Sequence, residues 1–484
     1  MTQISPGAIK HIAIIGAGPS GLATAKYLLA EDAFSKITIY EQRDFVGGIW
    51  NYTPLPPKPQ ETVNGHVTRP SEQKAIDVIT ANLAKLNTPM YEGLESNLPH
   101  MLMQFSDTPF PEGTQLFPTR ETVWRYLQDY ASDINSMIRF GHQVVDVRPS
   151  RDANLHAWEV TAKAGAEGVD EVERFDAVIA ANGHCDWPML PEIEGLDAWS
   201  KEIPESLYHS VSYKNANVFE NKRVLLVGGG PSGADIGRQV AKVCVQPLLM
   251  AQIEKSPYQT DEPDTRDYPT LVELIPEERA ARFEDGSIER DIDAIILCTG
   301  YAYSFPFLAP TLPTIKDEGI GALPLYQYVF HMQHPTLAFV ETPEMIVPFP
   351  LAECQAAVIA RVWSGRLTLP SLHDMEDWRE SVVRERGDGR GFHSLTPPLD
   401  LEYMKAMYDW SLKAKATATC ENPVRGKLPK YWDAKSCWLR MMAPEMKKAF
   451  GARGEERSNV LSYEELGFEF DKSEMNTDGI PIPD

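Results

Sequence analysis

The chain is 484 residues long, 43% hydrophobic and 24% charged, which is the composition of a globular protein and the length of two or three packed units rather than one core. Its formal net charge of -23 repels phosphate backbones and anionic membrane surfaces, arguing against nucleic acid and membrane as partners. No run approaches the roughly 18 apolar residues of a membrane span, and residues Met1 to His11 lack the build of a secretion signal. The cysteines Cys185, Cys244, Cys298, Cys354, Cys420 and Cys437 form no CxxC pair, so a soluble protein of a reducing, cytoplasmic compartment is expected.

From the N-terminus, HIAIIGAGPSGLATAKYL (His11 to Leu28) predicts a buried strand, a glycine turn and a helix, the setting a phosphate-binding turn requires. Gly16 permits the tight turn, Gly18 lets backbone approach a pyrophosphate, and Gly21 lets the helix pack on the strand. The helix start at Pro19 and Ser20 then faces the anion. KITIYE, from Lys36, predicts a second strand ending in Glu41, where a carboxylate meets a ribose hydroxyl pair. FDAVIAANGH, Phe175 to His184, closes this unit.

The pattern recurs at KRVLLVGGGPSGADIGRQVA, Lys222 to Ala241, where Gly228, Gly230, Pro231, Ser232 and Gly233 hold the same relative places. IDAIILCTGY, Ile292 to Tyr301, closes the second unit, so the chain carries an internal duplication. His184, Thr299 and Gly300 follow the two closing strands, where an open sheet meets its ligand; ordinary turn chemistry is the alternative. The interval from Gly16 to Gly183 far exceeds that from Gly228 to Gly300, so the second unit nests inside a discontinuous first one. The expected class is α/β, with two Rossmann-like dinucleotide-binding domains. One dinucleotide-binding domain covers 1–198 and, with C-terminal helices, 292–450, and a smaller one at 199–291 interrupts it. Two dinucleotides on one chain are explained most simply by a resident flavin and a nicotinamide that delivers hydride to it. Disulfide reductases share this plan but need paired cysteines beside the flavin, which are missing.

Further along, Tyr52 to Pro59 is proline-rich and predicts an exposed loop, either a lid or plain surface. Met375 to Tyr431 mixes charged and apolar residues at helical spacing with solvated charge, and Arg384 to Gly391 reads as a loop between helices. The polar stretch 451–484 predicts a flexible tail or an arm onto a neighbouring subunit, and homo-oligomerisation stays open.

Several segments carry more information than their periodicity. After Glu41 the chain reads QRDFVGGIWNYT, with Gly47, Gly48 and Trp50 in a GG-x-W element. Tyr91 to Pro111 reads YEGLESNLPHMLMQFSDTPFP, and Phe117 to Arg120 supplies an FP-T-R element. These resemble the flavin-containing monooxygenase family over most of the chain. Tyr326 to Pro370 is similar to its fungal and yeast branch. The resemblance implies an enzyme in which NADPH and O2 convert bound FAD to a hydroperoxyflavin that oxygenates a soft nitrogen or sulfur of a small molecule. It also makes the first, discontinuous domain the FAD-binding one and the nested domain the NADPH-binding one; no metal is expected. Asn97 matches the family's active-site asparagine, a neutral amide that can donate and accept near the flavin; a turn or helix-start asparagine ahead of Leu98 and Pro99 is the alternative. Gln42, Gly48, Ile49, Trp50, Thr119, Arg120 and Val144 are implied around FAD, although Trp50 reads equally as core.

Ile203 to Tyr213, IPESLYHSVSY, falls where the family carries F-x-G-x-x-x-H-x-x-x-F/Y; His209 and Tyr213 match, while Ile203 and Glu205 do not. His209 either contacts nucleotide phosphate or pins a linker. Tyr213, in place of tryptophan, favours heteroatom oxidation over the related Baeyer-Villiger chemistry. Lys255 is available for the extra phosphate of NADPH, but Glu254 beside it leaves NADH open. An N-hydroxylating enzyme and a non-catalytic nucleotide-binding redox sensor are the remaining rivals.

Overall fold

The apolar run at Ile12 to Ile15 can bury both faces of a strand only at the centre of a sheet, and that is where it lies. In a computed structural model, residues 4–5, 7–52, 75, 88–150, 158–165, 168–185, 187–253, 255, 257–259, 264–308, 312, 318–319, 321–415 and 426–471 are described. His11–Ile15 pairs in parallel with Lys36–Tyr40 on one side and Ala177–Ala180 on the other. The sheet extends to Ile138–Arg139 at one edge. At the other, Leu337–Phe339, Phe330–His331 and Leu325–Tyr326 follow in turn.

A second, wholly parallel sheet is built from Thr265–Tyr268, Leu248–Ala251, Val224–Val227, Ala294–Leu297 and Leu207–His209, in that spatial order. All its strands fall between Ala180 and Leu325 in sequence, so the nesting read from the glycine spacing is present. Ala294–Leu297 pairs inside this sheet, beyond the boundary expected at 292, because its apolar run continues Val224–Val227 in register. The two crossings between the sheets lie side by side: Tyr301 and Ala302 pair antiparallel with Pro188 and Trp187.

The Pro19–Glu31 helix packs on Pro348–Trp363, whose residues from Phe349 onward are all buried. Some charge expected at the surface is internal. Asp400 is fully buried and pairs with Arg440 at 2.7 Å, because the helices after 371 pack on each other as well as on the sheet. The loop expected from Arg384 is shorter than predicted. The Leu372–Arg386 helix runs through to a stop at Gly387, where φ is 86°, and Arg390–His393 forms another helical turn.

The tail is also corrected over its described part. Helical turns occupy Gly454–Asn459 and Glu464–Leu466, Val460 and Tyr463 are buried, and Phe468 and Phe470 pack against the main core. Its polar average concealed these spaced apolar anchors. Most of the predicted Tyr52 to Pro59 loop, Glu254 and 472–484 lie outside the described residues. Among those described, no helix is long and apolar enough to cross a membrane.

Candidate functional site

The first glycine turn follows from backbone collisions. Gly16 has φ 107°, and a side chain there would strike the Ala181 carbonyl; at Gly21 it would strike the Gly16 carbonyl. Gly18 sits at the N-cap with extended backbone and no side-chain cap, so the first amides of the Pro19–Glu31 helix keep no side-chain acceptor. Glu41 sits just past its strand and accepts the Ala17 N–H at 2.9 Å and the Arg43 N–H at 2.9 Å, bracing the turn.

This turn is covered. Gly47 to Trp50 folds over it as a 3-10 turn, bringing Gly48 against Gly18, while Gly47 abuts the ring of Trp124. Trp124 and Gln128 both donate to the Val46 carbonyl, at 3.3 and 2.9 Å, tying the cover to the Arg120–Ala131 helix. Thr119 caps that helix by accepting the Thr122 N–H, and the Arg120 guanidinium lies 4.2 Å from the Tyr52 ring centroid. Trp50 is half-buried and edge-on to Phe349; Ile49 is half-buried, Gln42 exposed, and Val144 buried on the adjoining strand.

Asn97 lies in a segment that pairs with the residues before that same helix: Glu95 bridges Thr119, and the Ser96 N–H donates to Pro118 at 2.9 Å. The following helix, His100–Met103, takes Pro99 as N-cap, so Asn97 is not a helix-start cap. Asn97 and Thr119–Arg120 thereby lie on paired segments, and the helix that Arg120 opens is the one tied to the cover of the first glycine turn.

The second turn repeats the backbone of the first. Gly228 has φ 113° and faces the Cys298 carbonyl, and Gly233 faces the Gly228 carbonyl. Gly230 again lacks a side-chain cap. Here, however, a side chain at Gly230 would meet none of the described residues within 4 Å, and Pro231 and Ser232 are only half-buried. Lys255 stands past the next strand with its Nζ 2.7 Å from Asp267.

Thr299 donates to the Met189 carbonyl at 2.6 Å, and Gly300 abuts the Arg390 guanidinium, so both serve the crossing between the sheets. His209, read as either a phosphate contact or a linker pin, lies inside the fold. Its ring is fully buried and edge-on to Tyr301, and its Nδ1 accepts the Val211 N–H at 3.1 Å. Burial holds its pKa down to about 4, so the ring stays neutral.

Two residues escaped the sequence reading. A pocket enclosing about 190 Å³ of empty space, open solvent included, lies at the strand ends between Asn182, His184, Tyr303 and Glu341. The Asn182 Oδ1 is buried there with no hydrogen-bond partner among the described residues. Glu341 adopts φ 62°, and Ser20 donates to its carboxyl at the N-terminus of the first helix. Burial pushes that carboxyl up to about 7. His184 faces the same pocket, its ring centroid 5.3 Å from that of Tyr303, and burial lowers its pKa. Uncapped helix amides, glycine-lined approach and the orphaned amide oxygen of Asn182 fit the phosphate and polyol portions of FAD; the open second turn fits a nicotinamide dinucleotide.

The comparisons with known proteins agree. The profile described as Flavin-binding monooxygenase-like matches residues 79–256 and 268–418, and an NAD(P)-binding Rossmann-like domain matches 14–75. The chain is 30% identical over 413 residues to the thiol-specific monooxygenase of Saccharomyces cerevisiae, covering 81% of this chain and 83% of that one. It is 33% identical over 396 residues to the flavin-containing monooxygenase FMO GS-OX3 of Arabidopsis thaliana, covering 77% and 78%. The S-allyl-L-cysteine S-oxygenase structure from Allium sativum superposes with a TM-score of 0.71 at 28% identity, covering 96% of this chain and 98% of that one. The chain therefore belongs to the flavin-binding monooxygenase family, as an enzyme with FAD and NADPH as its cofactors.

Proposed function

We propose that this monooxygenase transfers one atom of dioxygen to a soft nucleophilic sulfur or nitrogen of a small molecule, with a thiol or thioether sulfur the first choice. Bound FAD, once reduced by NADPH, supplies the oxygen-transferring chemistry. The chain holds, orients and shields. The observation that carries this reading is the pairing of a covered dinucleotide turn with an open one on two sheets joined by adjacent crossings. A covered site suits a cofactor that stays, and an open site suits one that arrives with hydride. The sulfur preference is supported by relatives whose names state thiol and S-oxygenation activities.

In this reading Asn97 offers a neutral hydrogen-bonding amide beside the flavin without adding charge. Trp50 and the Gly47–Gly48 cover keep bulk water from the first turn, which limits loss of activated oxygen as hydrogen peroxide. The uncapped amides at Gly18 and Gly230 take up the two pyrophosphates, and Lys255 offers a cation to the extra phosphate of NADPH.

The test is product analysis on the yellow holoenzyme with a thiol, a thioether, a tertiary amine and a cyclic ketone. Oxygenated sulfur formed in step with NADPH consumption is expected. Lactone from the ketone alone would make the chain a Baeyer-Villiger enzyme, and a colourless purified protein would favour the non-catalytic sensor. Asn97→Ala is expected to divert at least about nine-tenths of the NADPH to hydrogen peroxide, the effect of losing one well-placed hydrogen bond.

A further inference from the structure

The neighbourhood of Asn97 is ordered from outside the flavin sheet. Leu94 to His100 runs against Leu116 to Arg120: the Arg120 N–H donates to Leu94, the Ser96 N–H to Pro118 and the His100 N–H to Leu116, all at 2.9 to 3.0 Å. Behind this pair lies the last long helix, Ala434–Ala452. Its Lys447, 3% exposed, donates from Nζ to the Ser96 carbonyl at 2.8 Å and stands 3.8 Å from Glu95. The Arg457 Nε reaches both carboxylate oxygens of Glu95 at 3.0 Å. The C-terminal segment also accepts the Leu116 N–H through the Val460 carbonyl, at 2.8 Å.

An ammonium at this depth carries a large desolvation cost, and burial holds its pKa down to about 8. A methionine would fill similar space without that cost. The hydrogen bond Lys447 donates, at 2.8 Å, goes to one group, while the Glu95 carboxylate lies farther off at 3.8 Å. That group is the carbonyl of the residue immediately before Asn97.

We propose that Lys447 is a positioning residue for Asn97: its ammonium fixes the Ser96 carbonyl, and thereby the adjoining peptide that carries the Asn97 side chain, while Arg457 holds Glu95 in the same clamp. The inference rests on the reading of Asn97 as the flavin-side amide. Misplacing a reacting geometry by about 1 Å costs on the order of a hundredfold, so a clamp on one carbonyl has leverage out of proportion to its single hydrogen bond.

The test uses holoenzyme of Lys447→Met, Lys447→Arg, Glu95→Gln, Asn97→Ala and the Asn97→Ala/Lys447→Met pair. Hydrogen peroxide formed per NADPH is measured alongside amide hydrogen exchange over 94–100 and the visible spectrum of bound FAD. Lys447→Met is expected to raise the peroxide share toward that of Asn97→Ala and to speed exchange over 94–100 by about tenfold, a cost near that of one hydrogen bond. The KM for NADPH should change less than the peroxide share, since the direct partners of Lys447, Ser96 and Glu95, lie outside the second turn, and only its charge reaches Asp235 and Arg238 on the helix after that turn. The double variant should be no worse than Asn97→Ala alone, and Lys447→Arg should recover much of the coupling.

Uncoupling in Asn97→Ala with full coupling and unchanged exchange in Lys447→Met overturns the clamp and leaves Asn97 in place. Full coupling in Asn97→Ala overturns both. If Lys447→Met does not fold, Glu95→Gln decides by the same two readouts.

Discussion

The two glycine turns share a backbone and differ in what lies over them. Gly16 and Gly228 have φ 107° and 113°, each packs on a neighbouring strand's carbonyl, and each leads to an uncapped helix. Gly18 is buried beneath Gly48, whereas Gly230 is exposed. Ser20 is buried with Glu341 as partner; Ser232 is half-buried. Duplicated sequence thus produced one phosphate-binding conformation twice, and insertions in the first unit supplied the cover. On the proposed reading, the shared motif takes up a pyrophosphate in both units, and what lies over it separates a resident dinucleotide from an exchanging one.

The comparison is broken most severely at its shared element. Gly16→Ala combines a backbone collision with a strained φ, worth about 2–4 kcal/mol, and should yield colourless protein with FAD affinity lowered at least about a hundredfold. Gly228→Ala should stay yellow and lose NADPH binding to a similar degree, as flavin absorbance and nicotinamide titration would reveal. Equal effects of both variants on flavin content would contradict the assignment of the turns.

Gly48→Ala probes the cover alone. Gly48 has φ 54°, and a side chain there would come 3.1 Å from Gly18 Cα, so FAD should bind about tenfold more weakly with NADPH binding unchanged.

Glu341 distinguishes the turns by pH. Its carboxyl is pushed from 4.5 to about 7, so the fold favours the neutral form; that contribution is fully present below pH 4.5 and is lost as pH rises through 7. Glu341→Gln stays neutral throughout. In apoprotein thermal unfolding it should match the parent near pH 5 and exceed it at pH 8 by up to about 2–3 kcal/mol. A gap of the same size at both pH values would remove the titration from the account.

Lys255→Ala gives the smallest effect. Lys255 is half-exposed and already paired with Asp267, so the KM for NADPH should rise only about threefold to tenfold, with that for NADH unmoved.

The glycine turns were legible in the sequence because each glycine answers a local backbone collision, and local geometry repeats as local pattern. The place of Glu41, one strand length after the turn, was legible for the same reason; its bracing of the Ala17 and Arg43 amides was not. Glu341 was not: its partner Ser20 lies 321 residues away, and nothing near Glu341 in sequence marks it. Lys447 reaches Ser96 across 351 residues, from a helix whose lysines look like solvated surface. His209 kept its place in the family pattern, but the full burial of its ring was not readable there. The 451–471 stretch misled through its polar average, since Val460, Tyr463, Phe468 and Phe470 anchor it at a spacing too sparse to register as core.

The central claim, a resident flavin under the covered turn and an exchanging nicotinamide at the open one, is tested most directly by equilibrating the protein with FAD and NADPH and then passing it through gel filtration. Near-stoichiometric FAD should travel with the protein while NADPH is left behind, and excess NADPH should not displace FAD. Retention of NADPH with loss of FAD, or mutual displacement at a single site, would contradict it.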